Sequence, residues 1–443
     1  MPAAVRPLRR VTESFRLDNG LRVLLAHQPA SPTASVWLWY RVGSRNESPG
    51  RTGASHWVEH MLFQGSPRFP KGAIDRAVTE VGGMANAFTS SDFTAYFTTV
   101  PREHVGLPLA IEVDRLTGAT IEDAEVDRER RVVLSERDGN ENWPEFRAEE
   151  EMFATMFRRH PYRWDTLGHR EDIERMDGTA LREYYHRYYG PRNATLVVAG
   201  AFDPAQRRRE IERAFGDLPA TGEDPRVDVK EPPLTELRTS EIRGPGSAPL
   251  LLIGYRVPGI ADERTPAIAL LDAVLGGECR LFEPGIGGGR PDEHPTSRLY
   301  RGLVDRGLAV RAVSDWQPRV DPSVLLLRIQ AAPRTPLARL QEATDRLVGR
   351  LREEGPTPQE LGAIRARLAR IAPIAYEGAS RTGFRLGLWD AWGSPELEAR
   401  WFRALRTTGR HAVHAAAQEI LDPDRRVIVR YLPVPPGHFR RPG

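Results

Sequence analysis

The sequence predicts an α+β protein built as two tandem domains of similar fold, and three observations carry that prediction. Helical and extended segments are mixed rather than regularly alternating, which argues against a doubly wound parallel sheet. The triplet Tyr40-Arg41-Val42 recurs as Tyr255-Arg256-Val257, an offset of 215 (255 − 40), each time after an apolar extended run and before a helix. Between the two copies, residues 218–238 gather Pro219, Gly222, Pro225, Pro232 and Pro233 and read as a linker. The expected division is therefore a first domain at 10–217, the linker at 218–238 and a second domain at 239–436.

Taken in order, Gly20–Ala26 and Ala34–Val42 are rich in branched and aromatic residues and read as strands. The stretch Gly53–Gly65 follows as a helix, and Ala73–Val81 forms a second one that stops at Gly82-Gly83. Ala85–Val100, with Phe93, Tyr96, Phe97 and several threonines, is extended. Two helical runs come next, Arg102–Thr117 and the longer Glu122–Asn140. In the second half, Val427–Val429 matches Leu196-Val197-Val198 at an offset of 231 to 232. The offset has grown by 16 or 17 from 215, so that half should carry an insertion of that size. Residues 278–295, with Gly285, Gly287, Gly288 and Gly289, supply it.

Composition narrows the function. The chain has 443 residues, 40% of them hydrophobic, enough to bury large cores. Cys279 is the single cysteine, which excludes a disulfide framework and a multi-cysteine metal site, so any metal must be held by His, Asp or Glu. The net charge is +3, but arginine and glutamate are interspersed, as in Arg128-Glu129-Arg130-Arg131, which marks a solvated face rather than a nucleic-acid surface. No apolar run of membrane-spanning length and no secretory leader is visible, so a cytoplasmic protein with no nucleic-acid or membrane partner is expected.

Within Gly53–Gly65, His56, Glu59 and His60 fall at i, i+3 and i+4. A helix places such positions on one face, so two imidazoles and a carboxylate point the same way. In the long helix, Val126, Glu129, Val133 and Glu136 form one stripe. A carboxylate on an apolar face must be exposed, paired or bound to a cation, and from this segment alone a plain surface helix is an equal reading. The 75 residues between His60 and Glu136 leave room for the strand and helices that could bring the two helices side by side.

The string His56-Trp57-Val58-Glu59-His60, with Glu129 and Glu136 downstream, resembles the inverted zinc motif and acidic pair of the pitrilysin/insulinase (inverzincin) metallopeptidases. The shorter bacterial forms related to the mitochondrial processing peptidase are the most similar. Gly82-Gly83 with Asn86-Ala87, Tyr188-Tyr189-Gly190-Pro191 with Asn193, and Leu196–Gly200 extend the likeness over nearly the whole chain. The resemblance implies that each domain is an antiparallel-rich sheet with helices packed on one face, the two enclosing a cavity. It implies one zinc ion per chain, held by His56, His60 and Glu136, with Glu59 as catalytic base and Glu129 supporting the site from behind a ligand.

Those residue types suit the chemistry. Two neutral imidazoles and one carboxylate fill three tetrahedral positions on zinc and leave the fourth for water. Bound zinc lowers the water pKa to about 7, and a nearby carboxylate can take its proton and later give one to the leaving amine. Fe(II) on the same ligands would leave Glu59 without a role.

By the same resemblance, Asn86 and Ala87 begin an edge strand on which a peptide substrate could be added as a further strand. Arg298 matches a substrate-binding arginine, while the companion tyrosine position is taken by Val310. This departure implies a catalytic subunit that pairs with a homologous subunit bearing the arginine and tyrosine, a heterodimer in preference to a homodimer. The expected function is zinc-dependent endopeptidase action on short or unfolded peptides. The alternative is a catalytically silent structural or peptide-binding subunit. His411 and His414 also share a helical face, but Gln418 follows there, so they read as surface or packing residues. Tyr184, Tyr185, Tyr188 and Tyr189 read as packing for a helix.

Overall fold

The runs Thr33–Tyr40 (TASVWLWY) and Leu250–Val257 (LLLIGYRV) are apolar at successive positions rather than at alternate ones, so both faces of each strand must be covered. The structure, a computed structural model, describes residues 12–277, 293–374 and 377–434 and shows how that cover is supplied. It divides into two compact units. One runs through Arg137 and includes Trp164–Asp228 and Pro373–Glu398; the other comprises Asp138–Arg163, Val229–Ala372 and the chain from Ala399 onward.

In the first unit, β1 (Glu13–Arg16), β2 (Arg22–His27), β3 (Thr33–Tyr40), β4 (Met84–Thr89), β5 (Thr94–Pro101) and β6 (Ala194–Gly200) form a sheet of order β1-β2-β6-β3-β5-β4. Only β2 with β6 is parallel. In the second unit, β7 (Arg238–Pro245), β8 (Leu250–Val257), β9 (Ala309–Trp316), β10 (Ser323–Ala331) and β11 (Arg426–Val434) form a sheet of order β7-β11-β8-β10-β9. There only β7 with β11 is parallel, so both sheets are rich in antiparallel pairs as expected.

Before the linker the helices are α1 (Ala54–Met61), α2 (Ala73–Glu80), α3 (Gly106–Thr117), α4 (Asp123–Glu141), α5 (Pro144–Met156), α6 (Arg170–Arg175), α7 (Gly178–Tyr188) and α8 (Pro204–Phe215). After it come α9 (Thr265–Leu275), α10 (Leu337–Glu354), α11 (Pro358–Ile374), α12 (Gly378–Ala391), α13 (Pro395–Thr407) and α14 (Arg410–Ile420). Among the described residues no helix is long and apolar enough to cross a membrane.

The repeat seen in the sequence is a repeat of register. Leu38 of β3 pairs with Leu196 of β6, and Ile253 of β8 pairs with Ile428 of β11. The offsets are 215 (253 − 38) and 232 (428 − 196), the two values read from the sequence. Of the insertion expected at 278–295, residues 278–292 lie outside the described residues.

Alternation along β3 sorts its side chains between two environments. Val36, Leu38 and Tyr40 join a core with Trp57 and Val58 of α1, Leu109 of α3, Val126 and Val133 of α4, and Leu181 and Tyr185 of α7. Trp37 and Trp39 point to the other face, where Phe384 of α12 lies 5.7 and 5.5 Å from them, ring to ring. Asp390 of α12, 2% exposed, accepts the Thr195 hydroxyl at 2.6 Å and pairs with Arg22 at 2.9 Å. In the second unit α5 covers the corresponding face: Ala148, Met152 and Met156 pack on Leu250, Leu252, Val427 and Val429. Arg328 of β10 anchors that helix through Glu149 at 2.6 Å.

Each sheet is thus closed by a helix from the other half of the sequence. The contiguous division at 218–238 does not describe the compact units, because α5 leaves the first half and α12 leaves the second to bury faces that would otherwise stay wet. Helices lie on one face of each sheet, as the sequence places them, and these two exchanged helices add cover on the other.

The closest approach of α12 to β3 is made by glycine. A Cβ at Gly387 would lie 1.9 Å from Trp39 Nε1, and one at Gly383 would lie 2.3 Å from Trp37 Cδ1. Gly387→Ala is therefore expected to lower unfolding free energy by about 1–3 kcal/mol, the cost of overpacking. Gly349→Ala on α10, where nothing lies within 4 Å, should raise it by up to about 1 kcal/mol through helix propensity. Urea unfolding of both variants checks this; equal effects of the same sign would refute the packing argument.

Candidate metal centre

The helix α1 begins where few residues other than glycine would fit. Gly53 has φ 87°, and a Cβ there would come within 2.6 Å of the Leu167 carbonyl oxygen. In place of a side-chain cap at that position, Glu47 reaches the helix start and accepts the Gly53 and Ser55 N–H groups, each at 2.8 Å. Glu47 is 6% exposed, and burial pushes its carboxyl up to about 8 against the pull of those two donors. This tie fixes the first turn of the helix that carries both histidines.

The stripe on α4 faces α1. Val126 and Val133 are buried in the core of the first unit, so the same face brings Glu129 and Glu136 toward α1. Arg130 packs its guanidinium over the Trp57 ring at 5.4 Å, holding the two helices together from the side.

Three atoms converge across this contact. His56 Nε2 and His60 Nε2 stand 3.2 Å apart, and Glu136 Oε2 lies 3.5 Å from each. Ligands at about 2.0–2.1 Å around a tetrahedral ion are about 3.3 Å from one another, so this triangle has the edge lengths of a zinc site. His60 Nδ1 lies 3.2 Å from Glu129 Oε2 and donates to it, so that in the neutral ring the lone pair is on Nε2, which faces the other two atoms. His56 is pushed down to about 4, by burial first and by His60 second, and is neutral at pH 7. Burial opposes protonation of His60, but Glu136 and Glu129 outweigh it and leave its pKa raised. Glu136 is lowered by its hydrogen bond with His60, against the effect of burial. Among the described residues this is the one cluster of His, Cys, Asp or Glu whose donor atoms could share a metal ion.

Glu129 is held on both sides. One oxygen takes the His60 N–H, and the other accepts Gln64 Nε2 at 2.7 Å. Arg130, a neighbour that could have drawn Glu129 into a surface ion pair, pairs with Asp127 and donates to the Met176 carbonyl. Glu59, one residue before His60, is a separate case. Burial raises its carboxyl to about 7, and the Thr89 hydroxyl donates to its Oε2 at 2.5 Å. Gln64 and Thr89 went unnoticed in the sequence. Gln64 carries a faint signal, four residues past His60 on the same side of the chain; Thr89 carries none, because its role depends on where β4 runs.

The remaining candidates fall into place singly. Asn86 and Ala87 lie on β4, which pairs only with β5 and is the sheet edge. Asn86 is exposed, and its Oδ1 accepts the Ala87 N–H at 2.8 Å. Arg298 belongs to the second unit, where it is paired with Glu360 through Nε at 2.7 Å and Nη2 at 2.9 Å and also donates to the Gly355 carbonyl. Val310 is on the edge strand β9 and is 48% exposed. His414 donates to the Arg352 carbonyl at 2.8 Å, in keeping with a packing role, and Tyr184, Tyr185, Tyr188 and Tyr189 are core residues of the first unit.

Residues 22–170 match the sequence family described as Insulinase (Peptidase family M16), and residues 175–368 match the Peptidase M16 inactive domain. The chain belongs to peptidase family M16, of the pitrilysin type. M16 relatives include the uncharacterized zinc protease YmxG of Bacillus subtilis, 26% identical over 84% of this chain and 86% of that protein. The zinc protease PqqE of Helicobacter pylori is 28% identical over 80% of this chain and 77% of its own length. Among solved structures, a protease from Helicobacter pylori superposes with a TM-score of 0.87 at 25% identity, covering 95% of this chain and 99% of that one. The M16 assignment agrees with the two-domain α+β architecture and with the donor set of the cluster.

Zinc at a hundred times its dissociation constant is expected to raise unfolding free energy by about 2.7 kcal/mol, an increment removed by chelation and missing in His60→Ala. Glu129→Ala should weaken zinc binding by about 10–100-fold, the usual cost of losing a partner behind a metal-bound histidine. Competition with a chromophoric chelator measures the second effect, and an unchanged affinity would remove Glu129 from the site.

Proposed function

We propose that this chain is a zinc-dependent endopeptidase acting on short or unfolded peptides. The observation that carries the reading is the triangle of His56, His60 and Glu136 donor atoms at 3.2–3.5 Å with a half-buried, independently held carboxylate, Glu59, beside it. His56, His60 and Glu136 are the ligands, and Glu129 orients His60. When bound, zinc supplies the Lewis acidity that brings a water pKa to about 7 and polarises a peptide carbonyl. Glu59 accepts the water proton as the carbonyl is attacked and returns a proton to the departing amine nitrogen.

For the substrate, β4 offers an open edge with Asn86 and Ala87 near its middle. A peptide laid along it would gain backbone hydrogen bonds, and the Asn86 side chain, now on the Ala87 N–H, is placed to exchange that bond for one to the peptide. Arg298, fully engaged with Glu360, is better read as a tie within the second unit than as a free substrate anchor. That pairing and the aliphatic Val310 support a catalytic subunit that works with a homologous subunit supplying the arginine and tyrosine.

The rival reading is a silent structural or peptide-binding subunit, and Glu59→Gln separates the two. Expected are peptide cleavage by the zinc-loaded wild type, a loss of about 10²–10⁴-fold in the variant, and equal zinc content in both. A wild type that takes up no zinc and cleaves nothing would favour the rival. The heterodimer is tested by adding a tyrosine-bearing homologous subunit to the purified chain. A rise in peptide cleavage is expected; a full rate from the chain alone, unaltered by the addition, would refute it.

A further inference from the structure

The base Glu59 sits on α1, while the edge offered to substrate is β4, and one hydrogen bond joins them: Thr89, the last residue of β4, donates to Glu59 Oε2 at 2.5 Å. The proton count around this bond fixes its direction. Thr94, which faces Thr89 in the β4–β5 register, gives its hydroxyl proton to the Val42 carbonyl at 2.9 Å. Thr94 therefore has no proton for Thr89 across their 3.4 Å separation, and the Thr89 proton is committed to the carboxylate. The Tyr189 hydroxyl can donate to Ser55 O or to Thr94, each at 3.3 Å, but cannot extend a chain to Glu59, because Thr94 has nothing to pass on. The hydroxyls behind Glu59 are accordingly not a proton relay.

We propose that Thr89 is a positioning residue for the reaction, tying the Glu59 carboxylate to the strand along which the peptide lies. The inference rests on the peptidase reading and on peptide docking at β4. It follows that the base and the scissile carbonyl are both referred to one strand, so peptide register on Met84–Thr89 sets the distance between them. The hydrogen bond occupies one carboxylate oxygen and leaves the other as the acceptor for the water proton. The Thr89 hydroxyl touches neither substrate nor metal in this scheme and acts through Glu59 alone.

Thr89→Val keeps the shape and removes the donor; Thr89→Ser keeps the donor. For the zinc-loaded chain with its partner, Thr89→Val is expected to lower kcat by about 10–100-fold, with KM, bound zinc and Tm unchanged. Thr89→Ser should stay within about threefold of wild type, and in a Glu59→Gln background Thr89→Val should change the residual rate by less than about twofold. Affinity for a peptidic hydroxamate, which yields a proton to the base as it docks, is a second readout that needs no turnover and should fall in Thr89→Val but not in Thr89→Ser. If zinc-loaded wild type neither cleaves peptides nor takes up the hydroxamate, the peptidase reading falls and this role with it. If wild type does either and Thr89→Val matches it, or if Thr89→Ser loses as much as Thr89→Val, the positioning role alone is overturned.

Discussion

Two helices must lie side by side so that nitrogens from one and an oxygen from the other meet within about 3.5 Å, and the rest of the first unit serves that constraint. No single contact could hold it. Val126 and Val133 set the rotation of α4 by burying one stripe, and Arg130 over Trp57 closes the flank. Glu47 fixes the start of α1. The His60–Glu129–Gln64 bridge then crosses the interface directly and supplies the tautomer that leaves a lone pair on His60 Nε2. Burial does chemical work as well as packing, since it keeps His56 neutral.

Holding α1 and α4 also requires a sheet that does not yield, and the sheet is stiff because both of its faces are covered. The exchange of α5 and α12 between the halves makes this possible. Each of these helices completes the sheet of the other half of the sequence. The β3 tryptophans and the α12 glycines are complementary halves of one fit, large side chains on the strand against absent side chains on the helix.

Much of this was legible in the sequence and some could not be. The register repeat, the two-histidine helix and the stripe on α4 are periodic signals, and periodicity survives without knowledge of tertiary structure. The doubly apolar β3 and β8 already demanded cover on two faces, but nothing local names the helix that provides it, so the sequence suggests a contiguous division while the compact units interleave. Gln64 and Thr89 were missed for a related reason: a single polar residue that meets a carboxylate from another element has no pattern of its own. Arg298 is a further case: its sequence neighbourhood does not name Glu360, 62 residues away, which takes up its hydrogen-bonding fork.

The second half shows the same position of the fold without the donor set. The positions matching His56–His60 are Leu271–Leu275 on α9, where every residue is buried, Asp272 included. In the first unit α1 presents Glu59 and His60 on a partly open face. A buried imidazole needs a partner for each nitrogen, and a buried carboxylate costs several kcal/mol unless paired, so such a face is stable only with a matching set from a second helix. Histidines at Leu271 and Leu275 would enter a helix buried along its whole length, where each ring nitrogen would need a partner. The three donor residues and their supporting carboxylate therefore depend on one another, and α9, with leucine at both positions corresponding to the histidines, is a helix that packs.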